Sequence, residues 1–241
     1  MTGLMTRRGG WRGGPAPFIW RTVAALLAGI LCTMTVGAQI TDGGLLDRAA
    51  RKYRSAETLR ATFRQTLTSP GTKTSHTASG EFLQRGPAHV AFHFSEPAGD
   101  AIVIDGDVIW MYLPSTAKGQ VLKMPREAGA GLDFLSQLLG APRDHYIVAQ
   151  MPDERAGAHA AAVFALTPKG PNGPFTRATL WLGREDAILW QLETVEQSGL
   201  VRRLQFTSVR FNAALPKGAL TFVAPDGVRV IDQAALLGGR P

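Results

Sequence analysis

The stretch from Gly80 to Met124 constrains this chain most, because large apolar residues recur at every second position between closely spaced turns. Ala88-His89-Val90-Ala91-Phe92-His93-Phe94 sets Val90, Phe92 and Phe94 on one side of a pleated strand. Gly80-Glu81-Phe82-Leu83-Gln84 reaches it through a turn at Arg85-Gly86-Pro87. Beyond the Pro97-Ala98-Gly99 break, Ala101 to Ile104 and Val108 to Pro114 flank a tight Asp105-Gly106 turn, and Gln120 to Met124 follows. Such a meander builds an antiparallel sheet with one broad apolar face.

The flanking segments supply the cover for that face. Leu45, Ala49, Tyr53 and Ala56 recur at steps of three and four, which predicts an amphipathic helix over about Gly44 to Glu57. At Leu59 the period becomes two: Leu59, Ala61, Phe63, Gln65 and Leu67 share a side, Gln65 being the polar exception. Pro125 to Ala130 reads as a loop. Gly131 to Gly140 reads as a short helix with Leu132, Leu135, Leu138 and Leu139 on one face and Phe134 at its edge. Strands are then predicted at Tyr146–Gln150, Ala161–Leu166, Arg177–Leu182, Leu189–Val195, Arg202–Val209 and Leu220–Val223. Many antiparallel strands and few helices give a mainly β (α+β) fold, a strongly curved antiparallel sheet or partial barrel with helices across its concave side.

The beginning of the chain stands apart. Arg7, Arg8, Arg12 and Arg21 precede an apolar run from Val23 to Val36, and Val36-Gly37-Ala38 places small residues where a signal peptidase cuts. Residues 1–38 are therefore expected to be a cleaved secretory signal and 39–241 a single domain. The run is shorter than the roughly 20 residues that cross a bilayer. Losing four arginines and no acid takes the formal charge from +7 to +3. No basic block interleaved with aromatics remains, which argues against nucleic acid as a partner. The single cysteine, Cys32, lies in the leader, so the mature domain would have neither disulfide nor thiol.

Chemistry-bearing patterns are few. The five histidines are His76, His89, His93, His145 and His159; His89 and His93 share the outward side of one strand without acids at ligand spacing, so they read as solvated imidazoles and not as a metal site. Asp105 and Asp107 flank a hairpin turn that explains them. Gly170 to Pro174 is a turn cluster whose prolines withhold the N–H groups that a phosphate would need. The expectation is a protein that is not an enzyme, without catalytic residues, cofactor or metal.

Concave apolar surface leaves two arrangements open: Phe63, Phe82, Phe92, Phe94, Trp110, Tyr112, Leu132 and Leu135 either pack a dry core or wall a ligand cavity. Periodicity does not separate them. Phe63-Arg64-Gln65, Gly80-Glu81-Phe82 leading to Arg85-Gly86-Pro87, Asp105-Gly106 with Trp110 to Pro114, and Leu220-Thr221-Phe222-Val223-Ala224-Pro225-Asp226-Gly227-Val228 follow one another in an order that resembles the LolA family of periplasmic lipoprotein carriers.

That resemblance implies an unclosed β-barrel with a helical lid over a hydrophobic cavity. It implies a periplasmic carrier that takes acylated lipoproteins from the inner-membrane ABC transporter LolCDE and delivers them to the outer membrane, to the receptor LolB where one is present. Phe63, Phe82, Val90, Phe92, Phe94, Trp110 and Tyr112 would wall the cavity; Leu132, Phe134, Leu135 and Leu138 would belong to the lid. Arg85 matches the arginine of the family's Arg-Pro or Arg-Gly-Pro turn and would latch the lid by bonding to its backbone. A monomer suits a carrier whose mouth must stay free. The same fold also serves lipid-binding or lipoprotein-sensing modules that are not shuttles, and a filled core would suit an envelope structural protein.

Overall fold

The computed structural model describes residues 43–171 and 173–238. The predicted leader and Cys32 lie outside them. The first element is α1 (Gly43–Ser55), which buries Leu45, Leu46, Ala49 and Ala50 along one stripe, as its spacing predicts. It is followed by the strands β1 (Thr58–Ser69), β2 (Thr74–Arg85), β3 (His89–Glu96), β4 (Ala101–Asp105), β5 (Val108–Tyr112) and β6 (Gln120–Pro125). Then come a 3-10 helix (Arg126–Leu132), α2 (Phe134–Leu139) and the single turn α3 (Pro142–His145). The rest is β7 (Tyr146–Ala156), β8 (His159–Pro168), β9 (Arg177–Gly183), β10 (Leu189–Val195), β11 (Val201–Phe211), β12 (Arg229–Asp232) and α4 (Gln233–Gly238).

The twelve strands among the described residues belong to one sheet, in the order β12-β6-β5-β4-β3-β2-β1-β11-β10-β9-β8-β7. It curls without closing, and β12 and β7 are its two edges. Neighbours are antiparallel except β12, which runs parallel to β6 with Val230 opposite Val121. The long β1–β2 hairpin is the spine: β2 continues into the meander, while β1 pairs on its other side with β11, Leu59 opposite Phe211. Phe63 faces Gly80 across that hairpin. Only glycine fits there, since a Cβ at Gly80 would lie 2.2 Å from the His93 carbonyl oxygen.

Alternation decides which side chains go inside. Leu59, Ala61 and Phe63 from β1, Phe82 from β2, and Val90 and Phe92 from β3 enter one large core with the buried faces of α1 and α2. Gln65 follows the same parity and is 7% exposed. On the opposite face a second, smaller cluster joins Leu83, Ala91, Val103 and Leu220.

Three segments depart from the sequence reading. Pro125 to Ala130 is mostly 3-10 helix and not loop. Leu220 to Val223, predicted as a strand, is turn and extended coil crossing the outer face, because Pro216 and Gly218 close successive tight turns: Ala219 N–H donates to Pro216 and Thr221 N–H to Gly218. The last strand is instead β12. The apolar face survives because Phe82 is 1% exposed at its centre. Phe82→Ala should lower the unfolding free energy by about 3–5 kcal/mol, read from the urea midpoint at unchanged slope; a loss below about 1 kcal/mol would show that this ring does not hold the core.

Candidate functional site

The site is an aromatic cradle built by strand register. Ala61 and Phe82 are opposite across β1–β2, Phe82 and Phe92 across β2–β3, and paired residues share a face. Phe82 and Phe92 therefore meet edge to face at 5.0 Å between ring centroids, and Phe63 meets Phe92 and Phe94 at 5.7 and 5.6 Å. From above, α2 lowers Phe134 onto them, 5.7 Å from Phe82 and 6.2 Å from Phe92. Phe206 of β11 completes the cluster, 6.5 Å from Phe134.

Most of the residues expected to wall a cavity or form its lid come together as a closed packed cluster. Phe63, Phe82, Val90 and Phe92 are buried in one cluster with Leu132, Phe134, Leu135 and Leu138, and the partly buried Phe94 packs against it. Residues not anticipated there are Phe206, Ile102, Ile104 and Ile109; Leu139, placed on the same helix face by its spacing, joins them. Phe206 had a signal, since Leu204 and Phe206 alternate along β11.

Trp110 and Tyr112 are corrections. Register pairs Ile104 with Ile109 and Val103 with Trp110, so Ile109 and Met111 face the cradle while Trp110 faces outward. There Trp110 packs with the outer cluster of Leu83, Ala91, Val103 and Leu220, and stacks on Phe222 at 5.5 Å; Tyr112 meets the same ring at 5.7 Å. Both aromatics fasten the C-terminal segment to the back of the sheet. His93 does so too, through a 2.8 Å bond between Nε2 and the Ala219 carbonyl oxygen, and His89 lies 3.1 Å from Asp105. The two imidazoles are thus partnered and not simply solvated. No group of three or more His, Cys, Asp or Glu residues that could hold a metal occurs among the described residues.

Arg85 also differs from expectation. Its side chain is exposed, and the bond between its turn and the lid runs the other way: Arg126, at the start of the 3-10 helix, donates from Nη2 to the Pro87 carbonyl oxygen at 2.6 Å.

Open space flanks α2 on both sides. One cleft of about 320 Å³ runs between α2, the end of α1 and the β2–β3 turn, walled by Tyr53, Ala56, Leu59, Pro87, Leu135 and Leu139. A wider, more open one of about 600 Å³ lies on the other flank, with Gln137, His145, Tyr146 and Phe175 among its walls. Helix α2 has only six residues and no side-chain cap at its start. Its end is held by Arg54, which donates to the Gly140 carbonyl oxygen. By contrast α1 is firmly tied down: Lys52 donates to the Asp186 carbonyl oxygen at 2.9 Å, and the Tyr53 hydroxyl accepts the Leu189 N–H at 3.1 Å. Of the two helices over the cradle, α2 is the shorter and has fewer bonds to the sheet.

Burial pushes the Tyr53 phenol well above its ordinary value, the bond from Leu189 opposing this only partly, and burial raises Tyr146 as well.

A curled open sheet, an aromatic floor and a short apolar helix with space at either flank make an architecture suited to binding apolar ligands. The family model described as outer membrane lipoprotein carrier protein LolA matches residues 54–223, and the chain belongs to that family. It is 27% identical over 214 residues to an outer-membrane lipoprotein carrier protein of Hahella chejuensis, covering 88% of this chain and 96% of the relative. It is 30% identical over 175 residues to one of Leptothrix cholodnii, covering 72% and 79%. In three dimensions it is similar to an uncharacterized conserved protein of Thermus thermophilus, with a TM-score of 0.50 at 15% identity over 79% of this chain and 98% of that one. No helix among the described residues is long and apolar enough to cross a membrane.

The anchoring of α1 generates a pH test. With the folded phenol of Tyr53 raised above the ordinary value of 10.0, the stability tied to its neutral form is complete below that pH and is lost as pH rises beyond it. Tyr53→Phe should cost about 1–3 kcal/mol at neutral pH by leaving the Leu189 N–H unpaired, yet flatten the fall of the unfolding midpoint above pH 10 relative to the parent. Parallel alkaline curves for both proteins would show that Tyr53 is not a buried phenol.

Proposed function

We propose that this protein carries acylated lipoproteins through the periplasm, receiving them from the inner-membrane transporter LolCDE and delivering them to the outer membrane, to LolB where that receptor exists. The first 38 residues serve in this reading as the export signal, and residues 39–241 as the carrier. The observation that carries it is α2: four buried side chains, Phe134, Leu135, Leu138 and Leu139, rest on an aromatic floor while clefts lie open along both flanks of the helix.

The energetics fit an exchange of lid for cargo. Four large apolar side chains are worth about 1.5–3 kcal/mol each in burial, so lifting α2 costs about 6–12 kcal/mol. An acyl chain gains about 0.8 kcal/mol per buried CH₂, or about 12 kcal/mol for sixteen carbons. A single chain therefore offsets the opening, and a second or third makes loading strongly favourable. Binding keeps the acyl chains from water, and release runs to a receptor or membrane that buries the same chains. Nothing in this cycle makes or breaks a covalent bond.

The experiment is release of a radiolabelled lipoprotein from inner-membrane vesicles by the purified protein. A soluble one-to-one complex is expected. Ala56→Glu, which puts a carboxylate at a half-buried position in the wall of the cleft beside α2, should reduce the released fraction at least tenfold with the circular dichroism spectrum unchanged. Copurified phospholipid with no lipoprotein release would replace the shuttle by a lipid-binding or sensing module of the same fold.

A further inference from the structure

The latch that holds the lid down is built from residues of the lid itself. Arg126 opens the 3-10 helix and Asp133 is the residue immediately before α2, so the two bracket the segment that leads onto the cradle. The Arg126 guanidinium makes three contacts. Nη2 donates to the Pro87 carbonyl oxygen at 2.6 Å in the β2–β3 turn, Nη1 donates to the Gly106 carbonyl oxygen at 3.4 Å in the β4–β5 turn, and Nη2 pairs with the Asp133 carboxylate. The Arg126 backbone N–H also donates to the Asp107 carbonyl oxygen at 3.0 Å. One side chain thus spans two hairpin turns of the sheet and the start of the lid helix.

The ion pair is partly shielded from water, whereas the Arg126–Pro87 bond lies at the surface. The Arg126 side chain is 26% exposed and that of Asp133 13% exposed. Asp133 occupies the N-cap position of α2 yet makes no cap bond. Its Oδ2 faces Arg126, and its Oδ1 is buried with no hydrogen-bond partner among the described residues. A carboxylate so placed is tolerable only beside its cation, because removing one member of a buried pair leaves the other charge uncompensated. The pair therefore leaves the turns together or not at all. Between its ends the segment rests on the sheet: a Cβ at Gly129 would lie 2.3 Å from Ile109 Cδ1.

We propose that Arg126, paired with Asp133, is the positioning residue that sets how often the lid opens, a role that rests on the carrier reading given above. Its planar fork matches carbonyl oxygens on two separate turns, a geometry that an ammonium group cannot reproduce. Because cargo binds only the open form, the fraction open scales the apparent affinity. Weakening the latch makes loading tighter and hand-over slower.

The test reads lid motion without cargo, by amide hydrogen exchange of residues 126–139 in the purified protein. Arg126→Ala should raise exchange there about tenfold or more while the β1 and β11 amides keep parental protection. Arg126→Lys, which keeps the charge and loses the fork, should also raise it, and Asp133→Asn should raise it less. Arg85→Ala should leave it unchanged. Unchanged lid exchange in Arg126→Ala, or an equal rise in Arg85→Ala, would overturn the proposal. If Arg126→Ala loosens the whole sheet, Arg126→Lys decides by the same criterion. In parallel, a fluorescent diacylated lipopeptide should bind Arg126→Ala severalfold more tightly than the parent. Lipopeptide binding with unmoved exchange removes only the latch, whereas raised exchange in a protein that binds no lipopeptide removes only the carrier function.

Discussion

Everything in this molecule depends on apolar burial at one face of a curled sheet, a face wider than the strands that make it can cover. Phe63, Phe82, Phe92 and Phe206 point to the same side because their registers pair them, and no second sheet lies over them among the described residues. The cover is helical and unequal. Helix α1 is stitched to β10 and the β9–β10 turn through Lys52, Tyr53 and Arg48, whereas α2 is short, uncapped at its start and flanked by clefts. On the proposed function that inequality matters, because what α2 covers is what an acyl chain would cover in its place.

The back of the sheet has the opposite design. Trp110, Tyr112, His93 and Lys123 face outward, and the C-terminal segment lies over the first three through Phe222 and the Ala219 carbonyl. That segment buries the apolar outer cluster of Leu83, Ala91, Val103 and Leu220.

How much of this was legible in the sequence follows from how local each determinant is. The period of two in Val90-Ala91-Phe92-His93-Phe94 identified the inner face because small or polar residues separate the large ones. In β5 the run Val108-Ile109-Trp110-Met111-Tyr112 is apolar at every position, so its parity came only from the register with β4 and from Phe222, more than a hundred residues away. Trp110 and Tyr112 were accordingly assigned to the wrong face. Leu220 to Val223 carried the composition of a strand, but the turns closed by Pro216 and Gly218 bend it across the sheet. Arg126 had no pattern to announce it, since its partners are backbone carbonyls of two remote turns. The resemblance pointed to Arg85 in the same turn, two residues before Pro87, whose carbonyl Arg126 meets. The clefts beside α2 are space, and space has no periodicity.

The account stands or falls on whether cargo displaces α2. With cysteines placed at Ser136 on α2 and at Arg64 on the outer side of β1, spin labels report the distance between lid and sheet by pulsed dipolar spectroscopy, with and without saturating diacylated lipopeptide. The distance should lengthen and its distribution broaden when lipopeptide binds. A distance unmoved by saturating lipopeptide would mean that acyl chains do not take the place of α2 on the aromatic cradle.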